Sequence, residues 1–190
     1  MKRVFLIRHG KTLANDQRLY CGFTDIPLSD KGKEEIKALK SLYDDVSKDA
    51  ILIYSGLKRS EETLEILFNK KGIAYKDFRE MNFGDFEMKS YEQLKNNPDY
   101  IEWIKDTYNN KIKNGESFYE MRERVMKAYE EVINKYKDND DIVIVCHGGT
   151  IYHIIDVLFK ENKYVYEIQP GNGHAYIIKY DNDKIAYETR

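Results

Sequence analysis

Two short segments of this sequence, Val4–Ile7 and Ile142–Cys146, are apolar at every position. A strand with one face in solvent alternates apolar and polar residues, whereas an unbroken apolar run is typical of a strand covered on both faces. Strands of that kind lie at the centre of parallel sheets that carry helices on both sides. The two segments therefore predict the central strands of an α/β fold.

The rest of the chain continues this alternation of strands and helices. Further β-branched or aromatic runs predict strands at Ile51–Tyr54, Tyr176–Tyr180 and Ile185–Tyr187. Apolar residues at helical spacing predict several helices: residues 30–43, residues 57–69, one opened by the capping box of Ser117 and Glu120, and two short ones divided by Pro98 within residues 91–108. We therefore predict one domain over residues 1–190, a three-layer α/β sandwich with a mostly parallel central sheet and an edge hairpin formed by its last two strands.

Composition argues against several classes of partner. Hydrophobic residues make up 42% of the chain and the formal net charge is −2, so no excess of positive charge favours nucleic acid or an anionic membrane. No run approaches the roughly 18 apolar residues of a membrane span, and the N-terminal apolar stretch is too short for a secretory signal. The two cysteines, Cys21 and Cys146, form no disulfide framework. We expect a cytoplasmic protein, monomeric or homodimeric, that acts on small molecules.

Arginine and histidine side chains follow three of the predicted strands, at the point where each strand ends. Arg8 and His9 follow the first strand, and Arg59 comes one helical turn after the second. His147 and Gly148 follow the strand that ends at residue 146. Because open α/β sheets bind ligands beyond the carboxyl ends of their strands, we expect these residues to meet in one crevice.

Such a set of side chains suits a phosphoryl group. A tetrahedral dianion is bound by guanidinium groups, imidazole N–H donors and the backbone N–H groups at a helix N-terminus. Neutral imidazole is also a competent nucleophile. Each residue alone has an ordinary explanation, since a histidine at a strand end is often only hydrogen-bonded and Arg59 could be an exposed helix residue. From the residues alone, a phosphate-handling enzyme and a purely structural role both stay open.

Several motifs, in order along nearly the whole chain, resemble those of the histidine phosphatase superfamily, whose fold is phosphoglycerate mutase-like. Residues 8–12 (R-H-G-K-T) with Asn15 resemble the family's R-H-G-x-T-x-x-N. Further matches lie at residues 22–32, 54–63, 79–87, 115–117 and 143–150. The resemblance implies a phosphatase that needs neither metal nor cofactor, acting through a phosphohistidine.

The resemblance also implies roles for single residues. His9 would be the nucleophile, and Glu80 the general acid for the leaving oxygen and then the general base for water. Arg8, Arg59 and His147 would bind the transferring phosphoryl oxygens. The further phosphate or substrate ligands implied by the resemblance are Asn15, Gly22, Thr24 and Gly148.

Some residues depart from the family's pattern or stay unassigned. Lys11, Gly56 and Met88 replace residues common in the family, and we expect them to affect substrate preference. Of the other histidines, we interpret His153 as structural, whereas His174 could either border the pocket or have no role in it. We interpret Cys146 as a packing residue.

Within the family the choice lies between net hydrolysis and a mutase that returns the phosphoryl group to its substrate. Glu80 and His147 are only 67 positions apart, which is typical of the short, phosphatase-type branch. Some segments, including the region of Trp103, resemble phosphatases of α-ribazole 5′-phosphate. We expect residues 88–116 to form a helical lid that selects the leaving group. A mutase and a non-catalytic sensor of phosphorylated ligands are the alternatives.

Overall fold

The computed structural model describes residues 2–181 and 184–190, and a six-stranded sheet runs through its centre. The strands are β1 (Lys2–Arg8), β2 (Ile51–Tyr54), β3 (Ile73–Ala74), β4 (Asp141–Cys146), β5 (Ala175–Asp181) and β6 (Lys184–Thr189). They lie in the order β3-β2-β4-β1-β5-β6. The first four in this order are parallel, and β5 and β6 are antiparallel to their neighbours. The mostly parallel sheet and its antiparallel edge pair are confirmed.

The two strands predicted to be central lie side by side in the middle of the sheet. Every residue of Val4–Ile7 and of Ile142–Cys146 is fully buried. Their side chains alternate between two cores, because successive residues of a strand point to opposite faces. Val4 and Leu6 belong to one core, and Phe5 and Ile7 to the other.

Helices cover both faces of the sheet. They are α1 (Leu13–Asp16), α2 (Asp30–Ala38), α3 (Lys58–Phe68), α4 (Tyr91–Leu94), α5 (Pro98–Lys105), α6 (Phe118–Lys135), α7 (Gly148–Phe159) and α8 (Val165–Ile168). Buried residues of α5, α6 and α7 fill the larger core, and those of α2 and α3 fill the smaller one. The three-layer sandwich is therefore confirmed. No helix within the described ranges is both long and apolar enough to cross a bilayer.

Some local predictions differ from the structure. The helix predicted over residues 30–43 ends at Ala38 and continues as a separate 3-10 turn at Lys40–Tyr43. That turn brings Tyr43 into the smaller core, where its hydroxyl donates to the carbonyl of Gly173 at 2.6 Å. Strand β3 was not predicted, since two exposed residues carry no recognisable alternation. In the predicted hairpin turn, residues 182 and 183 lie outside the described part of the chain.

The start of β4 is tied to β1 by a buried carboxylate. Asp141 is 3% exposed and accepts from Arg3 Nε at 2.8 Å and Arg3 Nη2 at 2.6 Å. It also accepts from the backbone N–H of Ser47 at 2.7 Å. Because both strands carry site residues at their other ends, this pair helps to fix their relative position.

Removing that carboxylate should destabilise the protein. Asp141→Ala leaves the Arg3 guanidinium and the Ser47 N–H without their acceptor, so we expect the free energy of unfolding to fall by about 2 kcal/mol. Urea denaturation at neutral pH measures the change. The control is Asp140→Ala at the exposed neighbouring position, which should change the free energy by less than about 0.5 kcal/mol. Equal effects of the two variants would contradict the assignment.

Candidate active site

Three adjacent strands bring the predicted site residues together at their carboxyl ends. The backbone N–H of His9 donates to the carbonyl of Cys146 at 3.0 Å, which continues the β1–β4 pairing by one residue. The N–H of Ser55, after β2, donates to the carbonyl of Val145 on the other side of β4 at 3.2 Å. As a result the imidazole rings of His9 and His147 lie with their centroids 5.0 Å apart. The two histidines therefore lie side by side at the carboxyl ends of β1 and β4.

The hydrogen bonding of His9 determines which ring nitrogen carries its proton. Nδ1 lies 2.7 Å from the carbonyl oxygen of Gly10, which can only accept, so Nδ1 is the protonated atom and Nε2 keeps its lone pair. Burial of the ring lowers the pKa of His9 well below its ordinary value, and the positive charge of Arg59 lowers it further. His9 is therefore a neutral imidazole with an unprotonated Nε2.

The hydrogen bonds of two serine hydroxyls determine which ring nitrogen of His147 carries its proton. Ser60 Oγ donates to the carbonyl of Leu57 at 2.7 Å, so the 2.7 Å bond between Ser55 and Ser60 is donated by Ser55. The 2.8 Å bond between Ser55 Oγ and His147 Nε2 is then donated by the imidazole. Nδ1 of His147 is left buried, with no partner among the described residues. Burial, followed by Arg59, lowers the pKa of His147 well below its usual range.

Two arginines place positive charge beside the histidines. Arg59 is 1% exposed and donates to the carbonyls of Gly22 at 2.6 Å and Thr24 at 2.8 Å. Arg8 donates from Nη1 to the carbonyl of Pro170 at 2.9 Å, while its buried Nε has no partner among the described residues. Burial lowers the pKa of both guanidinium groups, yet arginine stays charged in proteins. The two cations leave donors available for an anion.

Glu80 lies at the start of the helix that follows His147. Its Oε2 accepts from the N–H of Gly149 at 2.9 Å, and its Oε1 accepts from the N–H of Met81 at 3.0 Å. Gly149 is needed for this approach, because a Cβ there would lie 2.3 Å from Glu80 Oε1. The carboxyl group thus sits at the N-terminal, positive end of α7, where its partner Gly149 lies two residues along the chain from His147.

Two further residues hold the loop of Glu80, and sequence reasoning assigned them no role. Arg124 donates to the carbonyls of Arg79 at 3.1 Å and Glu80 at 3.3 Å, and pairs with Glu116 at 2.6 Å. Glu116 also accepts from the N–H of Asn82 at 2.9 Å. Glu116 lies in the matched G-E-S motif, which was a signal for it. Arg124 had no such signal beyond the scarcity of arginine.

The residues predicted as further ligands make contacts of their own within the protein. Asn15 Oδ1 accepts from the N–H of Thr12 at 2.9 Å in a capping box of α1. Gln169 covers Gly148 so closely that a Cβ on Gly148 would lie 2.0 Å from its Nε2. Gly22 and Thr24 hold Arg59 by their carbonyls, as described above. Direct contact of these four residues with a ligand stays a prediction.

The remaining histidines and Cys146 lie at the edge of the site or outside it. His153 is buried against the ring of Phe118, with centroids 4.1 Å apart, and burial lowers its pKa to about 3. His174 Nδ1 lies 3.1 Å from the carbonyl of Arg190, on the loop whose Asn172 donates to the carbonyl of His9. Cys146 is fully buried, which raises the pKa of its thiol. In the part of the chain that the structure describes, no group of three or more potential metal ligands occurs.

Comparisons with known proteins agree with this geometry. A family model described as the histidine phosphatase superfamily (branch 1) matches residues 4–190. The adenosylcobalamin/alpha-ribazole phosphatase of Escherichia coli K12 is 30% identical over 158 residues, 80% of this chain and 77% of that protein. A probable phosphoglycerate mutase GpmB of Erwinia tasmaniensis is also 30% identical, over 83% of this chain and 75% of that protein. The crystal structure of the alpha-ribazole phosphatase from Shigella flexneri superimposes with a TM-score of 0.87 at 28% identity, covering 98% of this chain and 94% of that one.

The two site histidines should remain neutral in mildly acidic solution. Because burial lowers both pKa values well below 6.5, we expect His9 and His147 to keep their neutral rings at pH 6. Nitrogen-15 spectra of histidine-labelled protein should show a protonated Nδ1 in His9 and a protonated Nε2 in His147. Variants at each position assign the signals.

The same protein unfolded in urea is the control, since its histidines should titrate near their ordinary value of about 6.5. Below that pH the unfolded chain binds more protons than the folded one, so these histidines should make the protein less stable as pH falls. An imidazolium signal from His9 in the folded protein at pH 6 would contradict the assignment.

Proposed function

This chain belongs to the histidine phosphatase superfamily, and from that membership we propose that it hydrolyses small phosphomonoesters through a phosphohistidine, without a metal ion. The observation that carries the proposal is the bond between His9 Nδ1 and the carbonyl of Gly10, which directs the lone pair to Nε2. The charges of Arg59 and Arg8 act on the same ring, where they also attract a phosphoryl dianion. A neutral nucleophile thus stands among fixed cations.

In the first step, His9 Nε2 attacks phosphorus and the bond from phosphorus to the ester oxygen breaks. Glu80, in its protonated form, gives its proton to that oxygen, so the alcohol leaves neutral. Each carboxyl oxygen of Glu80 accepts one backbone N–H and has a second lone pair on which the proton can sit. The donors of Arg8 and Arg59 bind the phosphoryl oxygens as their charge is redistributed. His147 Nδ1 joins them as a donor only after it takes up a proton from solvent, which the negative charge of the bound ester favours.

In the second step, water attacks the phosphorus of phosphohistidine. Glu80, now a carboxylate, accepts a proton from the water, and the bond between phosphorus and His9 Nε2 breaks. Inorganic phosphate leaves, and both side chains return to their starting protonation states. Backbone N–H groups hold the carboxyl group near the helix terminus in both of its states, so one residue performs both proton transfers.

We also propose that residues 1–190 form one domain. In this domain, residues 88–116 form a lid that encloses the leaving group. This segment is attached next to the site, since the N–H of Met88 donates to the carbonyl of Tyr20 at 2.7 Å. The hydroxyls of Tyr20 and Tyr100 lie 2.7 Å apart, and Trp103 packs in the same aromatic group. Asn15 and Gly148 are the proposed further phosphate ligands.

The proposed substrate is α-ribazole 5′-phosphate. Support comes from the relatives named as alpha-ribazole phosphatases, which match in sequence and in structure. A phosphoglycerate mutase-type reaction is the second candidate, since a relative with that name is equally identical. A non-catalytic sensor is the third. We propose a cytoplasmic site of action, with both cysteines as free thiols.

His9→Ala should abolish turnover, because no other group in the site replaces its Nε2. With p-nitrophenyl phosphate and excess EDTA, we expect phosphate release to fall by a factor on the order of 10³ or more. Wild-type enzyme quenched in alkali during turnover should carry acid-labile phosphate, and the variant should not. His153→Phe, which keeps a buried ring outside the site, is the control and should retain activity. Equal turnover by wild type and His9→Ala would refute the mechanism.

A substrate panel separates the candidate functions. Wild-type enzyme in EDTA is incubated with α-ribazole 5′-phosphate, fructose bisphosphates and 3-phosphoglycerate. A hydrolase releases inorganic phosphate, and we expect α-ribazole 5′-phosphate to give the highest kcat/KM. A mutase would instead convert 3-phosphoglycerate to its 2-isomer with little free phosphate. Binding without either reaction would favour the sensor.

A further inference from the structure

The carboxylate of Glu87 occupies a nest of hydrogen-bond donors beside the candidate site. Its oxygens accept from the backbone N–H groups of Gly22 at 3.0 Å, Phe23 at 2.9 Å and Thr24 at 3.2 Å. They also accept from Thr24 Oγ1 at 2.6 Å and from the N–H of Phe83 at 3.1 Å. Five donors converge on one side chain, which is enough to fix the backbone of residues 22–24 around it.

The opposite side of that same backbone holds Arg59. The peptide group that joins Gly22 to Phe23 donates its N–H to Glu87 at 2.9 Å and offers its carbonyl to Arg59 Nη2 at 2.6 Å. Thr24 also contacts both charges, with its N–H and hydroxyl on Glu87 and its carbonyl, which belongs to the next peptide group, on Arg59 Nη1 at 2.8 Å. One peptide group therefore bridges a carboxylate and a guanidinium.

The backbone between the two charges has little freedom to move. A Cβ on Gly22 would lie 1.6 Å from the carbonyl oxygen of Met81, so only glycine can occupy this position beside Glu87. On the next residue, the ring of Phe23 lies under the guanidinium groups of Arg79 at 5.3 Å and Arg124 at 5.6 Å. A displacement of Glu87 should therefore be transmitted to the carbonyls rather than absorbed by the loop.

The arrangement also explains how Arg59 can be buried without a direct acidic partner. It is 1% exposed, and in residues 2–181 and 184–190 the ion pairs of arginine involve only Arg3, Arg124 and Arg190. A carboxylate in direct contact would neutralise its charge and occupy donors that a phosphoryl group needs. A carboxylate one peptide group away polarises the carbonyl towards the guanidinium, and leaves the cation's field for the ligand.

We propose that Glu87 is a positioning residue for Arg59, acting through the Gly22–Phe23 peptide group and through Thr24. In this assignment Gly22 and Thr24 serve the reaction by holding the arginine, because their own donors are engaged by Glu87. The proposal rests on the proposed function in one respect, that Arg59 binds the phosphoryl group.

The first test is Glu87→Gln, which keeps the shape of the side chain but removes its charge and brings an NH₂ group against backbone donors. At metal sites, removing the hydrogen-bond partner that orients a ligand typically costs roughly 10–100-fold in affinity or activity, and we take a loss of the same order for the partner of Arg59. We therefore expect the Kd for inorganic phosphate, measured by calorimetry, to rise by about tenfold or more, with a similar loss in kcat/KM for p-nitrophenyl phosphate. Glu120→Gln is the matched control, since Glu120 also accepts a backbone N–H, from Ser117 at 2.9 Å, but has no bond to residues 22–24.

A double-mutant cycle with Arg59→Met separates positioning from a general structural role. If Glu87 acts through Arg59, Glu87→Gln should weaken phosphate binding strongly in the wild type and hardly at all in the Arg59→Met background. Equal effects in both backgrounds would overturn the proposal, as would unchanged phosphate binding by the single variant. Unfolding of each variant in urea identifies any loss that comes from stability alone.

Chemical rescue covers the case in which Glu87→Gln folds poorly. Glu87→Ala leaves a gap into which formate can bring a carboxylate, so added formate should restore phosphate binding, whereas chloride at the same ionic strength should not. Absence of rescue in a folded Glu87→Ala protein would count against the proposal. Phosphate binding needs no turnover, so a wild type that binds phosphate but hydrolyses no ester would refute the proposed function and still test Glu87.

Discussion

The parallel pairing of β1 with β4 is the constraint on which the candidate site depends. Its register places Arg8 opposite Cys146, so the next residues of the two strands, His9 and His147, emerge side by side. A shift of one residue would send the side chains of either strand to the other face and separate the rings. The complete burial of both strands opposes such a shift, since it would exchange the residues of two filled cores. The packing of the sheet thus sets the distance between the two imidazoles.

Burial has opposite consequences for the two kinds of basic group in the crevice. It lowers the pKa of His9 and His147 far enough to keep them neutral, whereas Arg8 and Arg59 begin from so high a pKa that they stay charged. A nucleophile needs a free lone pair and a dianion needs fixed positive charge. Histidine and arginine in one buried crevice meet both needs without any change of protonation before the substrate arrives.

The sequence predicted the sheet and the candidate site because each left a local signal. Continuous apolar runs identified the central strands, and motifs at three strand ends identified His9, Arg59 and His147. The structure also contains features that no local pattern carries. The 3-10 turn after α2 is anchored by a bond from Tyr43 to Gly173, 130 residues later in the chain, and the proposed role of Glu87 depends on donors more than sixty residues earlier. The resemblance located Gly22 and Thr24 at the site, but only the three-dimensional contacts show that their donors face Glu87.

The arginines near the site divide according to how their charge is balanced. Arg124 pairs directly with Glu116 at 2.6 Å, and its donors are spent on that carboxylate and on the backbone of the Glu80 loop. Arg8 and Arg59 donate to backbone carbonyls instead, so no acid in the described part of the chain cancels either charge by contact. An arginine paired directly with a carboxylate gives the surrounding loop rigid support. An arginine held by backbone carbonyls is fixed in place while its positive charge stays unpaired. The two arginines whose charges act on His9, Arg59 and Arg8, are both of the second kind, and Arg124, which supports the Glu80 loop, is of the first.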